Sequence, residues 1–205
     1  MPTGYTFVCT CCGFPIIDAG PRPVPGWIKR DTGWMHLCGW ISTPPDIGAD
    51  AMDLDTFRQL ILEQHNKYRL RHSSPPLILD QGINDFAQDW ANELAARNQL
   101  AHRTENSYGE NLYFYWSLNR DSVPPEKAVE SWYREIKAYE KYYKTGPPAR
   151  LIPEVGHFTQ VVWAASRRLG VGRAQANNGA WYVVANYDPR GNYLNEFTQN
   201  VFPPT

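Results

Sequence analysis

Two histidines stand in settings where an imidazole could do chemistry. His102 lies in Leu100-Ala101-His102-Arg103 and His157 in Gly156-His157-Phe158-Thr159. Near neutral pH an imidazole can act as a base, a proton shuttle or a metal ligand. On local sequence alone, each is first read as a hydrogen-bonded structural histidine. The chain has no His-Glu-x-x-His, no Gly-x-Ser-x-Gly and no phosphate loop, so the catalytic arrangements built on those motifs are excluded. Gly170-Val171-Gly172 sits inside an alternating strand pattern with no helix after it, and is not a nucleotide loop. Ser107 and Ser117 are read as exposed serines rather than nucleophiles.

A second set of candidate ligands lies near the start. All four cysteines, Cys9, Cys11, Cys12 and Cys38, fall within residues 1–42. Cys9-x-x-Cys12-Gly13 has the form of a metal knuckle, in which glycine lets backbone amides approach the thiolates. His36-Leu37-Cys38 would complete it. The predicted structural zinc site is Cys9, Cys12, His36 and Cys38, with Cys11 as the alternate ligand. The whole looks like a degenerate zinc ribbon, because Ile41 stands where the last cysteine of a second pair would be. A short proline-bearing segment has little core, so a metal would contribute its folding energy. The other readings are reduced thiols in a partly disordered arm, or a Cys–Cys bridge in an exported protein. Trp27, Trp34 and Trp40 could alternatively pack the arm onto the rest of the chain.

Texture divides the chain into three parts: a cysteine-bearing module over residues 1–42, a linker over 43–52 containing Pro44-Pro45, and one mixed domain over 53–205. The domain opens with helical spacing at Phe57, Leu60, Ile61, Gln64, His65 and Tyr68, capped by Asp53 or Asp55. A second helix follows Asp80, with Ile83, Phe86, Ala87, Trp90, Ala91, Leu94 and Ala95 as its apolar stripe. A third starts at Pro124-Pro125-Glu126 and buries Val129, Trp132, Tyr133, Ile136 and Tyr139 or Glu140. The period then changes. Leu169–Ala174 and Trp181–Tyr187 read as strands around an Asn177-Asn178-Gly179 turn. Helices first and an antiparallel hairpin later predict an α+β layered domain.

The 205 residues, 42% of them hydrophobic, suffice for one core plus an appendage. Eight Trp and twelve Tyr give a core that needs no staples. A net charge of −1 gives no reason to expect nucleic acid as a partner. No apolar run reaches the ~20 residues needed to span a bilayer. Met1-Pro2-Thr3-Gly4 has neither a basic nor an apolar signal region and no cysteine follows Cys38, so a cytoplasmic location is expected, or an extracellular one if a leader has been trimmed.

Four stretches, in order, resemble the superfamily of cysteine-rich secretory proteins, venom allergens and plant pathogenesis-related proteins (the CAP or SCP domain). They are His65-Asn66-x-x-Arg69, Gly109-Glu110-Asn111-Leu112, Gly156-His157-Phe158-Thr159-Gln160-Val161-Val162-Trp163, and Val183-Val184-Ala185-Asn186-Tyr187-Asp188-Pro189-Arg190-Gly191-Asn192-Tyr193. The resemblance runs from about Asp53 to Thr205. Ala185 stands where secreted members usually carry a cysteine. Together with Trp132-Tyr133-x-Glu135-Ile136-Lys137-x-Tyr139 and the tail Asn200-Val201-Phe202-Pro203-Pro204, this resembles the cytosolic, Golgi-associated branch. Met1-Pro2 and the cysteine module replace that branch's myristoylated glycine, so a constitutive lipid anchor is not expected.

The resemblance implies a three-layer α-β-α sandwich with a cleft lined by His102, His157, Glu110 and Glu135. Two imidazoles and one carboxylate would suit Zn²⁺ or a similar cation, and the second acid would orient a histidine or take a proton from bound water. If there is catalysis, Glu110 and Glu135 would carry it. The expected function is non-enzymatic binding of a lipid, a sterol or a protein partner, peripheral to the Golgi or another membrane, with homodimerisation as an option. The alternatives are a metal-dependent hydrolase using the cleft, and an interaction module working through the cysteine cluster. Tyr113, Phe114, Tyr115 and Trp116 could face a lipid or fill the core. Arg167, Arg168 and Arg173 could attract acidic headgroups or line a solvated strand edge.

Overall fold

The computed structural model describes residues 52–119 and 121–205, and of residues 1–51 the backbone of five short strands. The chain divides into two units, Met1–Ala51 and Met52–Thr205. In the first, β1 (Thr6–Val8) pairs antiparallel with β2 (Pro15–Ile17). There β3 (Trp27–Arg30), β4 (Gly33–His36) and β5 (Gly39–Trp40) form an antiparallel meander. The zinc ligands predicted from sequence, Cys9, Cys11, Cys12 and Cys38, lie outside the described residues, as does the side chain of His36.

In the second unit, Asp53 caps helix α1 (Leu54–Arg71) by accepting from the Thr56 N–H at 2.9 Å. The stripe that α1 buries is Phe57, Ile61, His65 and Arg69, each one turn after the last. Two of the four are polar. Asp80 caps α2 (Gln81–Arg97), half of whose buried face is Ala: Ala87, Ala91 and Ala95, with Ile83, Asn84 and Leu94. These small residues let α2 lie directly on the sheet. A Cβ on Gly170 would sit 2.2 Å from the Ile83 backbone, and one on Gly172 2.4 Å from that of Gln88, so both strand positions require glycine.

The sheet has four strands in the order β6-β8-β9-β7. Here β6 (Ile78–Leu79) runs parallel to β8 (Arg168–Gln175), which forms a hairpin with β9 (Trp181–Asp188), and β9 pairs antiparallel with β7 (Gly109–Tyr115). Leu112, Tyr182 and Val184 face α2. Val171, Val183, Ala185 and Tyr187 face α1, α3 (Pro125–Tyr133) and α5 (Ile152–Val162). These are the three layers expected of the α+β sandwich. A short helix, α6 (Phe197–Asn200), precedes the C-terminal tail. Trp132 of α3 donates its indole N–H to the Leu112 carbonyl at 2.9 Å, reaching the sheet's β7 edge.

The structure differs from the periodicity at four places. The single third helix ends at Tyr133, and α4 (Ile136–Tyr139) follows after a break at Arg134-Glu135. The break frees Glu135 to turn its side chain toward α5. The strand β7 carries no plain period-2 stripe, and the helix α5, whose Ile152, Val155 and Val162 do keep helical spacing, falls outside the elements read from sequence. In the hairpin turn only Gly179 takes a positive φ, 89°. The arginines considered for headgroups are engaged by the protein: Arg168 bridges Asp80 and Asp188, Arg167 donates to the Ser166 carbonyl, and Arg173 is buried with its guanidinium 4.4 Å from the Phe57 ring centroid.

Three buried cationic-type side chains tie the layers together. Arg69 donates from Nε to the Pro75 carbonyl (2.8 Å), from Nη1 to those of Val161 (3.0 Å) and Trp163 (2.9 Å), and from Nη2 to that of Ser166 (2.9 Å). Burial pushes it down to about 10, so it stays charged at neutral pH. His72 holds the tail: its Nδ1 is 2.6 Å from the Phe202 carbonyl and its Nε2 2.8 Å from the Tyr133 hydroxyl. His65 is fully enclosed, and burial lowers it to about 4; burial lowers His72 as well.

Both histidines are therefore neutral in the fold and protonate more readily once unfolded, near pH 6.5. Their stabilising contribution is complete above about pH 6.5 and is lost as pH falls toward 4, where the unfolded state binds more protons. Thermal or urea unfolding at pH 7.5 and pH 4.5 should show a loss on the order of 3 kcal/mol from His65 alone. A stability curve flat across that range would contradict this.

Candidate functional site

The loop that carries His102 begins where Asn98 ends α2 in a left-handed conformation, φ 51°. Side chains of and beside α2 then strap it down. The Trp90 indole donates to the Ala101 carbonyl at 3.0 Å. The Arg103 guanidinium lies 3.8 Å from the Phe86 ring centroid and donates to the Phe86 carbonyl at 3.1 Å. Phe86 and Trp90, read from sequence as core, are thus half-buried supports for this loop.

Glu110, from the start of β7, receives the loop. Its Oε1 accepts from His102 Nδ1 at 2.7 Å and from the Arg103 N–H at 3.1 Å, while Oε2 accepts from Asn106 Nδ2 at 3.2 Å. The Glu110 side chain is 5% exposed and that of His102 65%. A carboxylate only accepts, so the His102 proton sits on Nδ1 and the Nε2 lone pair is left over. The hydrogen bond to Glu110 raises the His102 pKa, against a smaller opposing effect of burial.

Glu135 repeats the arrangement on the other element. Its Oε1 accepts from His157 Nδ1 at 2.7 Å. Its Oε2 accepts from the His157 N–H at 2.9 Å and the Phe158 N–H at 3.1 Å. One carboxylate thus fixes both the ring and the main chain of His157. The structure therefore brings the four sequence-predicted residues together as two pairs, His102 with Glu110 and His157 with Glu135. In each pair Nδ1 is taken, and Nε2 has no protein partner among the described residues.

Contacts that the sequence reading did not single out bring α5 against β7. Asn111 donates from Nδ2 to the His157 carbonyl at 3.1 Å. Gln160 of α5 packs where a side chain of Gly109 would be: a Cβ there would lie 2.1 Å from its Oε1. That same oxygen accepts from the Gly191 N–H at 2.8 Å, and Gln160 Nε2 donates to Ser166 Oγ at 3.1 Å. The turn bearing His157 is thus seated on the strand that bears Glu110. Among the described residues no three His, Cys, Asp or Glu side chains are grouped as an ion cage.

The aromatic run after Glu110 splits. Tyr113 and Tyr115 pack against the core, while Phe114 is 45% exposed, Trp116 52%, and Leu118, which sequence did not single out, 85%. Ser107 is exposed, and the Ser117 hydroxyl donates to Asp121 at 2.9 Å in a local turn. Neither serine contacts His102 or His157 in the hydrogen-bond pattern.

Comparison with known proteins shows the family and the fold. The profile of the cysteine-rich secretory protein family, CAP, matches residues 62–187. The chain is 40% identical over 153 residues to the human Golgi-associated plant pathogenesis-related protein 1, covering 72% of this chain and 94% of the relative. It is 39% identical over 139 residues to pathogenesis-related protein 1A of Nicotiana tabacum, covering 68% of this chain and 79% of the relative. Among solved structures, BmVAL-1 superimposes with a TM-score of 0.58 at 25% identity, covering 77% of this chain and 86% of that one. NaASP2, solved with Zn²⁺, shares the fold at a TM-score of 0.56 and 22% identity, covering 80% and 91%.

The Glu110 contact has a direct readout. His102 should titrate above 6.5 in an NMR pH series of the full chain, and Glu110→Gln should bring that midpoint down. A midpoint unmoved by the substitution would show that the pair does not form in solution.

Proposed function

The chain belongs to the cysteine-rich secretory protein family, and on that footing we propose that it is a non-enzymatic binding domain that docks on a lipid surface. The observation that carries this reading is the exposed apolar group Phe114, Trp116 and Leu118, running off the end of an edge strand. A tryptophan beside exposed apolar side chains suits the headgroup boundary of a bilayer, where the ring meets acyl chain on one side and water on the other. The name of the human relative places that protein at the Golgi; here, peripheral attachment to the Golgi or a similar membrane is part of the proposal.

The two histidine–glutamate pairs support binding rather than turnover. Each carboxylate accepts at least three hydrogen bonds, so an incoming electron-pair acceptor would meet the unpartnered Nε2 atoms of the imidazoles rather than the acids. A divalent cation is a second reading, favoured only by the two unpartnered Nε2 atoms and not by a three-ligand group, of which there is none among the described residues. His102 and His157 would hold it through Nε2, and Glu110 and Glu135 would orient the rings from behind. A bound cation would supply Lewis acidity to a coordinated oxygen.

Co-sedimentation of the full chain with phosphatidylcholine vesicles carrying phosphatidylserine or cholesterol tests the lipid reading. The triple variant Phe114→Ser/Trp116→Ser/Leu118→Ser should bind about a hundredfold more weakly, since three apolar contacts of about 1 kcal/mol each are removed. Failure of the unsubstituted protein to sediment with any composition, or equal binding by the variant, would refute it.

For the cation, calorimetric titration of Zn²⁺ into a variant with all four cysteines changed to serine isolates the histidines. Binding that disappears in the added His102→Ala/His157→Ala double substitution is the expected result. Absence of binding, or binding that survives the double substitution, would end the cation reading.

A further inference from the structure

His65 belongs to neither pair, yet a continuous line of hydrogen bonds leads from it to His157. Every donor and acceptor along that line is determined. His65 Nδ1 lies 2.8 Å from the Ile61 carbonyl one turn earlier in α1. A carbonyl only accepts, so the proton of the neutral ring sits on Nδ1, and Nε2 offers a lone pair. The Tyr187 hydroxyl, 2.8 Å away, must then donate to Nε2. With its one proton committed, the Tyr187 oxygen accepts from Asn111 Nδ2 at 3.1 Å. That amide's other hydrogen goes to the His157 carbonyl at 3.1 Å. His65, Tyr187 and Asn111 are all buried, so no solvent water stands ready to replace a missing member.

We propose that His65 is a positioning residue for His157: its unprotonated Nε2 is the terminal acceptor that orients the Tyr187 hydroxyl, through it the Asn111 amide, and through that the main chain of His157. The His157 peptide is thereby held on both sides, by Glu135 at its N–H and by this chain at its C=O. His102 has no such connection, since its loop is held by Trp90, Arg103 and Glu110. The consequence for cation affinity rests on the reading of His157 as a ligand; the positioning itself does not.

The test is the imidazole ¹H–¹⁵N spectrum of the metal-free, ¹⁵N-labelled full chain at pH 7.5 and 25 °C. Tyr187→Phe removes one hydroxyl and keeps the ring. The His157 ring resonances should shift and broaden while those of His102 stay in place, and Zn²⁺ affinity should fall about tenfold, as for loss of a supporting hydrogen bond behind a ligand. His65→Gln supplies an amide oxygen as acceptor and should leave the His157 signals near their original positions. His65→Leu should reproduce the Tyr187→Phe spectrum; should it fail to fold, Tyr187→Phe and His65→Gln carry the test. A Tyr187→Phe protein with a lower Tm but unchanged His157 resonances, or with His102 shifted equally, would overturn the proposal. If the unsubstituted protein binds no Zn²⁺ while the spectra change as expected, the cation reading falls and the positioning stands.

Discussion

In the larger unit a single buried guanidinium, with no carboxylate paired to it among the described residues, joins α1 to the end of α5 and to the segment that leads into β8. Arg69 spends its donors on four carbonyls from three stretches: Pro75 after α1, Val161 and Trp163 at the end of α5, and Ser166 before β8. The last carbonyls of a helix have no partner within it and carry its negative end. Arg69 supplies both the hydrogen bonds and the countercharge, and fork geometry lets one side chain serve several acceptors at once. The end of α5 is thereby set against α1, and the first residue of β8 follows two positions after Ser166. The sheet and the His157 turn share this anchor.

The same device recurs on a smaller scale. Along α1, Phe57 and Ile61 bury apolar surface, while His65 and Arg69, one and two turns on, reach out to other elements. His72 then takes the Phe202 carbonyl and so secures the tail. Apolar packing supplies most of the burial but is indifferent to small rotations, whereas buried polar contacts fix direction. The functional side chains are held by the second kind of contact. His102 and His157 are both gripped at Nδ1 by carboxylates that accept further hydrogen bonds, an arrangement that fixes each ring and leaves its Nε2 lone pair facing away from the acid.

Where local chemistry decides structure, the sequence was readable. Asp80 caps α2 as its position suggested, the alanine-rich stripe lies on the sheet, and β8 and β9 close as a hairpin. The third helix was read too long because Val129, Trp132, Ile136 and Tyr139 keep helical spacing across the break; the break coincides with Glu135 meeting α5, a contact 22 residues away in sequence that spacing does not display. The α5 segment keeps helical spacing at Ile152, Val155 and Val162, but Pro153 and Gly156 among them obscure it. Of the site, His102 and His157 stood out by type, whereas Glu110 and Glu135 came through motif resemblance, Glu135 with the added sign that it borders the buried stripe of Trp132 and Ile136, where an unpaired acid is costly. Asn111, Gln160 and Tyr187 lay inside quoted motifs without a role. Their function is to join strands to helices, and no reading of one element at a time displays that.

The terminal position of β7 has an implication for how the protein behaves in a crowded solution. An outermost strand normally offers a row of open backbone groups onto which another chain can zip. Here the indole of Trp132 already occupies the carbonyl of Leu112, midway along the strand. An approaching ladder would be interrupted at that rung, so a tryptophan whose bulk fills the interior also closes part of this edge to pairing.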